Sequence, residues 1–194
     1  GGLGNQGGVA STDSCRTLLV VNAGSNDVSV LRVRNGGLAL TDRLPSGGTQ
    51  PVSVAVHDDM VYVLNAGSDT ISGFRLRHGR LAPIAGSTRP LSGSGTAPAQ
   101  IAFSPSGDTL LVTEKATNKI VAYTVHDYGI VSGPLVQNSN GQTPFGFAFD
   151  RRGNAIVSEA FGGTASALSS YEVNRRGTIR SISNSIDAAG QRAA

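Results

Sequence analysis

Apolar and polar residues alternate along this chain in short runs, and the runs recur. Residues 18–33 read LLVVNAGSNDVSVLRV: an apolar run, a six-residue polar turn from Asn22 to Asp27, then an alternating apolar run. β-Branched and aliphatic residues flanking an Asn/Gly/Ser/Asp cluster predict a β-hairpin, because those turn residues tolerate the dihedrals that reverse a chain. Residues 61–76 read VYVLNAGSDTISGFRL, and their Asn-Ala-Gly-Ser begins at Asn65, 43 residues after the one at Asn22. A fixed period of this size predicts a repeat architecture.

A second signal sets the register. A short motif opens each unit: Gly-Asn-Gln-Gly at Gly4, Gly-Thr-Gln-Pro at Gly48, Gly-Thr-Ala-Pro at Gly95 and Gly-Gln-Thr-Pro at Gly141. A fifth opening, Gly-Gln-Arg-Ala, starts at Gly190, and the spacings are 44, 47, 46 and 49 residues. The predicted units are therefore 4–47, 48–94, 95–140 and 141–189, within one domain spanning 1–194. Each unit is expected to hold four strands. The first falls at 8–11, 52–56, 100–103 and 145–149, and the second at 18–21, 61–64, 110–113 and 155–158. The third starts at Val28, Ile71, Ile120 and Leu168, and three residues on carries Leu31, Phe74, Tyr123 or Tyr171. A weaker fourth, such as 37–44 or 178–182, leads into Gly/Ser-rich connections, the longest at 85–97. Proline at the start of a first strand costs no ladder bond. The turn after that strand contains Asp13, Asp58, Asp108 or Asp150; Cys15, the lone cysteine, stands where Gly107 and Gly153 stand in their units, so no intrachain disulfide forms.

Four-stranded antiparallel units of about 45 residues in series are the signature of propeller blades, so the fold class is all-β, a β-propeller of about four blades. Blades have neighbours on both sides, which accounts for apolar residues on both faces of the second and third strands. A β-sandwich does not predict a constant period with one motif at each start.

Composition narrows the function classes. Only 15% of residues are charged and 26 of 194 are glycine, in keeping with strands and tight turns. The net charge of +3 comes from 14 Arg and 2 Lys, with no basic run longer than two residues and 5% aromatics, so no nucleic-acid-binding stripe is present. No apolar run reaches membrane-spanning length. The compartment stays open, secreted or cytoplasmic. His57, His78 and His126 fall in separate units and no metal-ligand spacing occurs, so neither a metal nor a cofactor is expected. Gly2 to Gly7 formally matches G-x-G-x-x-G, but a strand rather than a helix follows it.

In a propeller the turns between second and third strands, and the connections into each first strand, share one end of the channel. Sites usually sit where such loops converge. The residue just after the second strand is Asn22, Asn65, Glu114 or Glu159, and the openings contribute Gln6, Gln50, Gln142 and Thr143, with Gln100 just inside its strand. This ring is the candidate site: Glu114 and Glu159 as catalytic base and acid, and Asn22, Asn65, Gln50, Gln100 and Gln142 as substrate-binding groups. The alternative is that these side chains cap strand ends and bond to turn backbone.

The segments 20–31 and 63–74, the Ser104-Pro105-Ser106-Gly107-Asp108 turn and the openings at Gly48, Gly95 and Gly141 resemble the lactonase-like seven-bladed β-propellers with YVTN-type repeats. That family includes 6-phosphogluconolactonases and 3-carboxymuconate-cyclase-type enzymes. The resemblance implies a small lactone or carboxylate sugar acid as partner, bound and then hydrolysed or isomerised at the channel mouth. It also implies an Arg or His after the first-strand proline, whereas the stretches here are Pro51-Val52-Ser53, Pro98-Ala99-Gln100 and Pro144-Phe145-Gly146. That departure favours the other function considered, a non-catalytic propeller serving as a binding or cell-surface interaction scaffold. Four blades of seven leave an arc, so the isolated chain is expected to self-associate or to need further blades, with the gene product continuing past Ala194.

Overall fold

The structure is a computed structural model, in which residues 4–161 and 165–188 are described. The opening at Gly190 lies outside the described residues. Four antiparallel sheets follow one another along the chain. The first contains β1 (Val9–Ser11), β2 (Thr17–Asn22), β3 (Asp27–Arg34) and β4 (Gly37–Pro45). The second contains β5 (Pro51–His57), β6 (Met60–Asn65), β7 (Thr70–Arg77) and β8 (Arg80–Pro83), with β9 (Arg89–Pro90) also pairing β7. The third is β10 (Pro98–Phe103), β11 (Thr109–Glu114), β12 (Lys119–Val125) and β13 (Val131–Asn138). The fourth is β14 (Pro144–Phe149), β15 (Asn154–Glu159), β16 (Ala167–Val173) and β17 (Ile179–Asp187). The helical content among the described residues is a single 3-10 turn, Asp127–Gly129. These sheets are blades of a β-propeller.

Two local expectations change. The first hairpin turn has four residues rather than six, because Asn22 and Asp27 still pair across it. The connection 85–97 contains a strand. In the second blade the outer strand breaks after Pro83 and resumes as β9, and between them the Ser87 hydroxyl bonds both the N–H and the carbonyl of Gly73. A side chain thus takes the place of one backbone partner, at the Gly73 N–H, and shares the Gly73 carbonyl with the Ile84 N–H.

Packing between blades follows the two-residue period of a strand. In β2, β6 and β11 the residues Leu19, Tyr62 and Leu111 face the following blade, while Val61 and Val63, Leu110 and Val112, and, in β15, Ala155 and Val157 face the preceding one. Each interface is therefore an apolar layer between two sheets: Leu19, Val28 and Val30 meet Val61, Val63 and Phe74, and Leu111, Ile120 and Ala122 meet Phe147, Val157 and Tyr171. Leu111 and Ile120 are fully buried by the fourth blade, whereas their counterparts Ile156 and Leu168 are 37% and 45% exposed. The position three residues into the third strand packs backward in each later blade, and its phenols find partners there. The Tyr123 hydroxyl donates to the Pro90 carbonyl (2.8 Å), and the Tyr171 hydroxyl accepts from the Asn140 N–H (2.8 Å).

Candidate functional site

The opening motifs are built from blade-to-blade hydrogen bonds. In each of the first three blades an Asn or Asp ends the turn between second and third strands in the left-handed region: Asn26 (φ 58°), Asp69 (φ 48°) and Asn118 (φ 54°). Short amide and carboxylate side chains tolerate that conformation. Each reaches forward to the next opening. Asn26 Oδ1 accepts from the Gln50 N–H and Asn118 Oδ1 from the Thr143 N–H, both at 2.6 Å, and Asp69 accepts from the N–H groups of Gly95 and Thr96. The residue before each proline is left-handed too: Gln50, Ala97 and Thr143.

In the second, third and fourth blades the residue ending the second strand turns inward on the connection that enters its blade. Glu114 is fully buried; its Oε1 accepts from the Ser92 N–H (2.9 Å) and its Oε2 from the hydroxyls of Ser92 and Thr117 (both 2.5 Å). Glu159 is also fully buried, and its Oε1 accepts from the Gly141 N–H (2.8 Å) and the Ser169 hydroxyl (2.5 Å). Asn65, buried as well, donates to the Ser72 hydroxyl, which donates in turn to the Gly47 carbonyl. Asn22 donates to Asp27 and Ser29 within its own hairpin. This close approach explains two opening glycines: a Cβ on Gly48 would sit 2.6 Å from the Asn65 amide carbon, and one on Gly141 would sit 2.0 Å from Glu159 Oε2.

The first strands are stitched together by their fourth residue. The N–H of Val54, Ile101 and Phe147 is captured by the preceding blade, through the carbonyl of Gly7 in the first opening, the Ser53 hydroxyl and Gln100 Oε1 respectively. Gln100 also donates from Nε2 to the Phe147 carbonyl (3.0 Å), so both ends of its amide are occupied. Gln50 and Gln142 are exposed at their openings. The ring read from the sequence is therefore not one convergent cluster. Glu114 and Glu159 each sit inside a separate connection, and no hydrogen bond joins them among the described residues.

A group absent from that ring bridges neighbouring segments of the fold. Lys115 follows Glu114, and its ammonium lies 5.6 Å from the centroid of the Phe145 ring, at the first strand of the next blade. It also donates to the Gly4 carbonyl (2.7 Å) and Asn5 Oδ1 (3.1 Å). Burial lowers its pKa from the usual lysine value. The same opening segment donates from the Gln6 N–H to the Ala99 carbonyl (3.0 Å), and the Gln6 amide lies over Gly146, where a Cβ would come within 2.6 Å of it. The first opening thus lies against the third and fourth blades. The sequence signal for Lys115 is slight: it is one of two lysines in the chain, beside a candidate residue.

Residues 84–192, over half of the chain, match the family described as lactonase, 7-bladed beta-propeller. The chain belongs to that family. Its fold is also that of solved propellers. A candidate 6-phosphogluconolactonase from Bacteroides uniformis is similar with a TM-score of 0.79 at 13% identity, over 92% of this chain and 54% of that one. The periplasmic gluconolactonase of Pseudomonas aeruginosa is similar with a TM-score of 0.72 at 19% identity, over 93% and 54%. Hydrazine synthase of Kuenenia stuttgartiensis is similar with a TM-score of 0.70 at 16% identity, over 95% and 52%. The chain therefore spans about half the length of these structures, and at such identities the likeness is one of fold. No curated protein sequence matches it.

Proposed function

We propose that this chain forms part of a lactone-handling propeller, with a small lactone or sugar-acid carboxylate held at the channel mouth beside Lys115. The observation that carries the reading is the placement of Lys115: a cation at the inner edge of two adjacent blades, in a family of lactonases. An ammonium there suits a ligand carboxylate, or the carbonyl oxygen of a lactone as water adds and the ring acyl–oxygen bond breaks to give the hydroxy acid. Under this reading, catalysis by Glu114 or Glu159 requires a carboxylate to leave the serine hydroxyls that hold it.

That requirement favours the second reading, a propeller that binds without turning over its ligand, since Glu114 accepts bonds at both oxygens and Glu159 is held through Oε1. Lactone hydrolysis by the intact protein separates the two, measured with Lys115→Met, Glu114→Gln and Glu159→Gln alongside. The lactonase reading expects turnover in the parent and a KM raised about tenfold by Lys115→Met, the loss of one charge-assisted contact. Turnover that ignores Lys115→Met removes the site, and a parent that binds lactone without hydrolysing it leaves the binding scaffold.

A further inference from the structure

At the opposite end of the blades, where turns between first and second strands meet turns between third and fourth, a cleft opens at each blade interface. The three clefts are equivalent in the fold and differ in charge. Between the first and second blades the lining combines Arg16 and Arg32 with Asp13 and Asp58. Between the second and third it is acidic and imidazole-bearing, with Asp58, Asp108, Asp127, His57 and His126. Between the third and fourth it holds Arg151, Arg152 and Arg175 and no carboxylate among the described residues. The fold has the same turns at all three places, so the excess of guanidinium at the third is not a requirement of the architecture.

We propose that this third cleft binds a small anion bearing phosphate or carboxylate oxygens. Its volume is about 310 Å³, suited to a small metabolite. Both blades that form it are present in this chain, so it depends on no further blade. The nearby acidic groups are already engaged. Asp108 pairs with Arg175 at 3.2 Å, and Asp150 accepts from the N–H groups of Arg152 and Asn154 and from the Asn154 side chain. Arg151 and Arg152 form no ion pair among the described residues, and both are exposed to an incoming ligand. Planar guanidiniums present paired N–H donors that match two oxygens of one phosphate or carboxylate group, which an ammonium does not. The Ser106 hydroxyl, on the facing wall, adds a neutral donor.

The test is titration of the intact protein with inorganic phosphate and, separately, with citrate, at constant ionic strength against a chloride reference. Saturable binding with a Kd of about 1 mM or tighter is expected. Weakening of about tenfold is expected in an Arg151→Gln/Arg152→Gln variant that melts like the parent, with little change in Arg16→Gln/Arg32→Gln. Preference for phosphate or citrate tells which oxyanion the cleft takes. Non-saturable binding, or binding that chloride reproduces, means an adventitious ion only and overturns the proposal. Saturable binding that survives the Arg151/Arg152 change overturns it as well.

Discussion

Replacing Gly141 with alanine tests whether Glu159 is an anchor of the scaffold. Gly141 is not in the left-handed region, so backbone strain plays no part; the obstacle is the carboxylate itself, 2.0 Å from where the Cβ would stand. Relief needs a shift of more than 1 Å, roughly the difference from an ordinary contact. Glu159 cannot move that far and keep its bonds to the Gly141 N–H and the Ser169 hydroxyl, at 2.8 and 2.5 Å. Losing two charge-assisted bonds in a buried site costs about 3–4 kcal/mol. For a chain of this size that is a fall in Tm of roughly 10 °C. Glu159→Ala alone strands the same two donors and should cost about 2–4 kcal/mol. The double variant decides the matter. With the carboxylate gone the new methyl still meets the Ser185 hydroxyl at 2.8 Å, which a rotation of that side chain relieves, so the double variant should be little worse than Glu159→Ala, a coupling of about 3 kcal/mol. Gly93→Ala, with no atom within 4 Å of its Cβ, serves as the control and should change stability by less than about 0.5 kcal/mol. Denaturant melts of the four proteins, followed by circular dichroism, supply the cycle. Additive losses would refute the steric argument and with it the assignment of Glu159 as an anchor.

Asn118→Ala removes the acceptor for the Thr143 N–H and places a less tolerant residue at φ 54°, so a loss of about 1–2 kcal/mol in the same melts is expected. The Arg43 guanidinium holds the Asp27 carboxyl down to about 2 from an ordinary 3.8, so its stabilisation is complete above pH 3.8 and fades as pH falls toward 2; in Asp27→Asn the melting temperature should lose that part of its acid dependence. Burial pushes the Tyr62 phenol up to about 12 and the Tyr123 phenol up further, so their contribution is intact below pH 10 and declines above it. Phenolate absorbance should therefore show both rings resisting ionisation until the protein unfolds. We further propose that the 194-residue chain alone, at 19.8 kDa, self-associates through faces such as that bearing Ile156 and Leu168, and a monomer in sedimentation would dismiss this.

The repeat and the alternation within it were enough to place most strands, because an apolar position in a strand can satisfy itself only by facing a neighbour, and the period says which neighbour. Leu111, Ile120 and Tyr123 are legible as core in this way, and Gly107 and Gly153 as turns. The candidate site was legible only as a set of equivalent positions. Asn65, Glu114 and Glu159 end their strands at the same place in each unit, yet whether such a side chain meets solvent, a ligand or the chain's own backbone depends on what lies across from it. That is Ser92 for Glu114 and Gly141 for Glu159, 22 and 18 residues away. Gln100 shows the same limit, since its partner Phe147 is 47 residues distant. Lys115 became prominent only when the first opening and Phe145 were brought beside it. Local pattern determines burial, because burial follows from periodicity and hydrophobicity. The pairing of polar groups is decided by tertiary structure, because a hydrogen bond is directional and short, and only the folded backbone brings its two ends within reach.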